Sequence, residues 1–188
     1  MASTAIMKRE FSLQSVEDEV CRLFGRNVRR AREAEGLSLN DLEDRIFDVN
    51  ESSEIMIEAV ESSNCNLTLD QVAEIIFSLR SKDPSWFFQY RKFSTPRRTL
   101  KYRKFKYRVL IQDMYVVVGE NARSKRRKLG LSIVDAMRRF QNVNSIIKNI
   151  DELEKGLIYL RLSEIADLVW IYGEDASWFF EKKHERLL

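Results

Sequence analysis

The chain spells one motif twice. Ser85-Trp86-Phe87-Phe88 returns as Ser177-Trp178-Phe179-Phe180, each with an aspartate two places upstream, Asp83 and Asp175. Further back, Phe24-Gly25 matches Val118-Gly119, Gly36-Leu37-Ser38 matches Gly130-Leu131-Ser132, and Asp41 matches Asp135, all at a spacing of 94. The spacing falls to 93 for Glu61 with Glu154, Leu67 with Leu160 and Leu69 with Leu162, and to 92 at the tryptophans. Two one-residue gaps therefore align two complete units. Because a repeat constrains the fold before local propensity does, the sequence predicts two copies of one small all-α domain. Units of roughly 80 residues are near the small end of self-sufficient domains and lean on a neighbour for stability.

Periodicity places five short helices in each unit. Val16, Val20, Leu23, Phe24, Val28 and Ala31 share one face of a helix that a Ser15–Asp18 variant capping box opens and Gly36 ends. Ser38, with Asp41 three residues on, caps a second helix whose Leu42, Ile46 and Phe47 turn inward. A third is predicted from about Ser53 to Ser62, burying Ile55 or Met56 with Ala59 and Val60. Thr68 or its neighbour opens a fourth with Leu69, Val72, Ile75, Ile76 and Leu79 apolar, and Asp83-Pro84 opens a fifth, since proline fits a first helical turn. In the second copy Leu110, Met114, Val117, Val118 and Ala122 stand opposite Val16, Val20, Leu23, Phe24 and Val28. That correspondence predicts helix across Tyr115 to Val118 against a strand propensity. Ser132 caps the next helix, Asn144 or Ser145 the third, and Ser163 falls early in the fourth. The expected layout is a mobile arm at 1–14, a domain at 15–93, a basic linker at 94–107 and a second domain at 108–188.

Composition narrows the chemistry. Charged residues make up 32% of the chain, which suits solvated helices, and the net charge of +3 matters less than its distribution. Cys21 and Cys65 stand among apolar neighbours without metal-ligand spacing and are expected as reduced thiols. No apolar run approaches the length of a membrane span, and a soluble cytoplasmic protein is expected. A single histidine, His184, near the end of the sequence, leaves no nucleophile–base pair, and no phosphate-cradling glycine loop or metal-ligand cluster is present. Neither catalysis, cofactor nor small-molecule substrate is expected.

The pattern resembles the lambda-repressor-like, or XRE-type, helix-turn-helix family. The resemblance rests on Gly25, Val28, Arg29, Gly36-Leu37-Ser38, Leu42, Glu61 and Leu69 in the first copy. In the second it rests on Gly119, Ala122, Arg123, Gly130-Leu131-Ser132, Glu154-Lys155-Gly156 and Leu162. It implies two tandem five-helix lambda-repressor-like domains and a transcriptional regulator of double-stranded DNA. Several positions depart from the family. Leu39 and Ile133 replace the glutamine after the helix-two serine, and Glu43 and Met137 replace a small alanine. Phe47 and Gln141 replace a turn glycine, and the turn before helix three is longer in both copies.

In such a fold the start of helix three reads base edges. The first copy has no lysine or arginine there, whereas the second offers Asn144, Ser145, Lys148 and Asn149, able to pair with adenine, guanine or phosphate. These are either base contacts or ordinary solvent-facing residues. From Pro84 through Gln112 no residue is acidic, and Arg97, Arg98, Lys101, Arg103, Lys104 and Lys106 accumulate among aromatics. Neutralising six phosphates with such a run would give a log–log salt slope of about −5. Arg123, Lys125, Arg126 and Arg127 form a further cluster, matching a first-copy cluster whose Arg29 and Arg30 have Glu33 and Glu35 within pairing distance along the helix. Finally, three successive aromatics cannot all face one core from one helix. Trp86 and Phe88 are therefore expected to meet the other copy or a homodimer partner, and Ile55, Met56 and Ile57 to offer an apolar surface to a protein. A co-regulator or anti-activator that docks a protein is the alternative reading.

Overall fold

The computed structural model describes residues 12–63, 67–81, 83–90 and 104–182. The described chain is all-α. Its elements are α1 (Leu13–Ala34), α2 (Leu39–Val49), α3 (Ile57–Glu61), α4 (Leu69–Ser78), a 3-10 turn (Pro84–Phe88), α5 (Lys104–Lys128), α6 (Ile133–Asn142), α7 (Ile150–Glu154), α8 (Leu162–Tyr172) and α9 (Ala176–Phe180). The two halves repeat the same order of long, medium, very short, medium and very short helices. An isolated antiparallel bridge joins Thr68 and Arg161.

The helix starts follow side-chain chemistry. Ser38 and Ser132 accept from the backbone of Asp41 and Asp135, whose carboxylates reach back to the serine N–H, a reciprocal box in each half. Thr68 and Gln71 form a third. Several starts differ from the sequence expectation. Ser12 rather than Ser15 caps α1, Ser15 N–H donating to Ser12 Oγ at 3.2 Å, so the helix reaches into the expected arm. α5 begins at Lys104, inside the expected linker. Asn149, not Asn144 or Ser145, caps α7.

The third helices are shorter than expected because the long turns before them are tied down from beneath. In the first half Asn50 Nδ2 and Ser53 Oγ donate to the buried Glu74 carboxylate of α4 at 2.8 and 2.7 Å. In the second, buried Asp167 occupies the corresponding place on α8 and accepts from Ser145. A chain pinned this way stays extended until Ile57 and Ile150. Phe47 is not inward: Leu42 and Ile46 fill the core, and a residue one step beyond Ile46 is turned about 100° away, leaving Phe47 53% exposed.

The halves interlock instead of folding apart. α1 lies against α8 of the other half, and reciprocally α5 lies against α4. Within each half the long helix packs on its own third and fifth elements. Leu69 N–H donates to Leu160 O at 2.8 Å and Leu162 N–H to Leu67 O at 2.9 Å, a pair of bonds exchanged by the repeat itself. Phe88 stacks on its own counterpart Phe180, with ring centroids 4.3 Å apart and planes 6° from parallel. Contacts between equivalent residues lie on a symmetry axis, so an approximate two-fold runs through the Thr68/Arg161 bridge and the Phe88/Phe180 stack. One continuous apolar core spans both halves.

That arrangement resolves the aromatic surplus. Trp86, Phe87 and Phe88 are all buried, with Phe24 beneath them and Phe180 across the axis; Phe179 and Phe180 are buried in the second half and Trp178 half-buried. Asn27 and Asn121, equivalent buried residues of α1 and α5, hold these endings through carbonyls. Asn27 Nδ2 donates to Phe87 O and Gln89 O at 2.9 and 3.0 Å, and Asn121 Nδ2 to Trp178 O, Phe179 O and Glu181 O at 3.1, 3.0 and 3.0 Å. At Gly25 and Gly119 the long helices cross the third helices so closely that a Cβ would stand 2.1 Å from Val60 O and 2.4 Å from Leu153 O. Only glycine fits there.

Candidate nucleic-acid interface

The base-reading set is dispersed by its own hydrogen bonds. Asn149 Oδ1 accepts from Glu152 N–H at 3.2 Å and is spent on capping α7. Ser145 is buried, bonded to Asp167 and accepting from Ile147 N–H at 3.2 Å. Asn144 is exposed in a left-handed turn at φ 54°, a conformation asparagine tolerates. Lys148 is exposed beside it. α7 itself turns Asp151 and Glu152 to solvent, and its Lys155 pairs with Asp151 at 2.5 Å. Around its start Ile146, Lys148, Asn149, Glu152, Ile158 and Tyr159 line a shallow recess of about 190 Å³.

Two arginines of each long helix are equally committed. Arg32 donates Nε and Nη2 to Glu61 at 2.6 and 2.9 Å and Nη1 to Leu37 O at 2.7 Å; Arg29 adds a bond to the same carboxylate at 2.9 Å. The second half repeats this. Arg126 binds Glu154 through Nε and Nη2 and Leu131 O at 2.8 Å, and Arg123 joins at 3.3 Å. Glu61 and Glu154 are buried. Their hydrogen bonds hold both the Arg32 and the Arg126 guanidinium above the ordinary arginine pKa. Lys125 pairs with Glu174 at 2.5 Å. The partners of Arg29 and its equivalent are thus the third-helix glutamates, not Glu33 and Glu35. Of the second-half cluster, Arg127 alone is exposed among Arg123, Lys125, Arg126 and Arg127. Arg97, Arg98, Lys101 and Arg103 lie outside the described residues, and Lys104 and Lys106 fall in the first turns of α5.

No protein-family profile, curated protein or solved structure matches this chain.

The surface itself carries a signal that the motif search passed over. At equivalent positions the two halves carry different side chains. Glu33 faces Arg127 in the alignment, Glu35 faces Leu129, and Asp44 faces Arg138, each at a spacing of 94. In the first half Glu35 holds Arg45 at 2.7 Å; the equivalent Arg139 has Leu129 where that carboxylate would be, and is exposed. Arg127, Lys128, Arg138 and Arg139 therefore form the outward end of α5 and the outer stripe of α6, tempered by Asp135 at 3.8 Å from Arg138. The matching first-half stripe is Asp41, Asp44, Phe47, Asp48 and Glu51, all exposed. From α2 to the end of α3 eight carboxylates face one arginine, Arg45, whereas residues 133–155 hold four acids and four bases. Summing charge along the whole chain hides this opposition; comparing the copies position by position finds it.

Of the expected partner residues, Ile55 and Ile57 are buried in the core and cannot offer a surface. Met56, between them, is 66% exposed. Trp86 and Phe88 are buried, Phe88 against the other half. Cys21 is buried, and Cys65 and His184 lie outside the described residues. Among the described residues no group of acidic, histidine or cysteine side chains is arranged to hold a metal, and no helix is long and apolar enough to cross a membrane.

Proposed function

We propose that the chain is a DNA-binding transcriptional regulator built from two lambda-repressor-like helix-turn-helix units. It meets the duplex asymmetrically, through the second half. The observation that carries this reading is the charge reversal between equivalent surfaces. Arg127, Lys128, Arg138 and Arg139 stand outward where the first half has Glu33, Ala34, Asp44 and the ion-paired Arg45. The acid-free run from Pro84 through Gln112, of which α5 forms the end, adds phosphate affinity. The helix-turn-helix reading draws on the paired capping boxes after Gly-Leu-Ser and on the close α1–α3 and α5–α7 crossings at Gly25 and Gly119. Contacts of this class position a protein on DNA and carry little sequence information, so the proposal assigns α7 no base contacts.

The test is fluorescence anisotropy of the whole protein on its own upstream duplex and on a scrambled one, titrated across salt. Replacing Arg127, Arg138 and Arg139 together by alanine is expected to weaken both complexes and to flatten the log–log salt slope by about 2 to 3. Replacing Glu33, Asp44 and Asp48 by alanine is expected to leave binding intact or tighten it. Absence of binding at low salt, or a triple-arginine variant that binds like the parent, sinks the proposal. A second reading, a protein-docking co-regulator, is favoured by Phe47 and Met56, large apolar side chains exposed on the acidic half. It predicts a captured protein partner that is lost on Phe47→Ser.

A further inference from the structure

The pseudo-two-fold gives this molecule two surfaces of the same shape class and opposite sign, and nothing in the proposed DNA contact uses the acidic one. The acidic stripe runs along the outside of α2 as Asp44, Phe47 and Asp48, with a large apolar ring between the carboxylates. The basic stripe runs along the outside of α6 as Arg138 and Arg139, with Ile133 and Val134 exposed one turn before them. Both helices are rigidly set by the same capping box and by equivalent core residues, Leu42 and Ile46 in one and Ala136 and Phe140 in the other. We infer that these stripes are a matched pair, the acidic α2 stripe of one molecule docking on the basic α6 stripe of a second copy of the same chain.

Sign selects the pairing. A stripe set against its own copy would put carboxylates against carboxylates or guanidinium groups against guanidinium groups, and like charges across an interface are penalised. Only the pairing of unlike stripes, α2 on α6, brings opposite charges together and covers Phe47 with the Ile133–Val134 step. After one head-to-tail contact the pair keeps one unsatisfied stripe of each kind, one on each molecule. Such a contact either continues into a chain of molecules or closes on itself if the rotation permits. The basic stripe is also the surface assigned to DNA, so self-association and duplex binding exclude one another there. The self-association itself does not rest on that assignment.

The test uses full-length protein and no DNA, so its outcome is independent of the nucleic-acid reading. Sedimentation velocity at protein concentrations on the order of 100 μM is run in about 50 mM and about 500 mM salt, where screening lengths differ severalfold. The expected result is a mass above monomer that rises with concentration at low salt, with an association constant at least tenfold lower at high salt. Two surface variants carry the decision, Asp44→Ala with Asp48→Ala, and Arg138→Ala with Arg139→Ala, each verified as folded by circular dichroism. Each alone is expected to be monomeric. Mixed in equal amounts they are expected to form a one-to-one dimer and nothing larger, because only one intact stripe of each sign remains to be joined. A monomeric parent at low salt, either variant still associating alone, or a mixture that stays monomeric would each overturn the inference.

Discussion

Asp167 shows how a single buried group can be both structural anchor and liability. It accepts from Ser145 and so pins the turn before α7, yet burial, Glu164 on its own helix and Glu17 from α1 raise its carboxyl pKa, the Ser145 bond only partly offsetting them. The folded chain therefore holds this proton more tightly than the unfolded chain. Between the two pKa values the native state binds more protons, and stability falls as pH rises through and just above the ordinary aspartate range. Asp167→Asn removes the charge while its carboxamide oxygen can still accept from Ser145. It is expected to raise the urea midpoint at about pH 8, with the gain shrinking toward about pH 4 as the native carboxyl protonates. A gain that does not change with pH would mean the effect is packing and not ionisation. At the same scale the sequence is legible in parts. Glycine at 25 and 119 marks a close crossing, but Asn27 and Asn121 look like surface polar residues until the spacing of 94 is noticed. Buried carboxylates at 74 and 167 carry no local signature, because burial of a charge depends on partners distant in sequence.

Helices three and seven reach the same end by exchanged means. In the first half Glu43 of α2 reaches over to accept from Ile57 N–H at 2.8 Å, and Met56 at the cap position contributes no side-chain bond. In the second half Met137 stands where Glu43 does, and Asn149, at the place of Met56, caps the helix itself. Glu43, at a position where the helix-turn-helix family that the sequence resembles carries alanine, is thus a cap supplied by a neighbour. Asn149→Ala is expected to cost about 1 kcal/mol, the ordinary value of an N-cap. Adding Met137→Glu should restore much of that by copying the first-half arrangement, and chemical denaturation of the single and double variants checks both steps. No rescue would mean that the two third helices are held differently. Helix existence and order were readable from periodicity and the Gly-Leu-Ser punctuation. The starts of α1 and α7 were not, since each depends on which of several nearby polar side chains wins the cap, and such competition is settled by tertiary packing. The same competition buries Ser145 and spends the exposed Asn149's side-chain oxygen on a cap, although both were expected to read bases.

At the scale of the molecule, the duplication was legible and the crossing of its halves was not. A repeat predicts two alike units but is silent on whether each completes its own core or the other's. Here α1 is covered by α8 and α4 by α5, so either half alone would expose a long apolar helix face. Fragments 1–93 and 94–188 are each expected to lose near-ultraviolet circular dichroism and to bind a hydrophobic dye when separate, and to regain a cooperative transition when mixed, as obligate dimers do. A cooperative transition in either fragment alone would show that the unit folds without its twin. The Phe88/Phe180 stack adds a consequence for how such a chain can change. A residue away from the axis touches something different from itself and can drift independently of its twin, as Asp44 and Arg138 have done. A residue on the axis has its own copy for a neighbour, so a substitution there alters both sides of one contact and must suit itself. The ring stack is the point where the two halves have least freedom to become different proteins, and the Ser-Trp-Phe-Phe that surrounds it is where they still read alike.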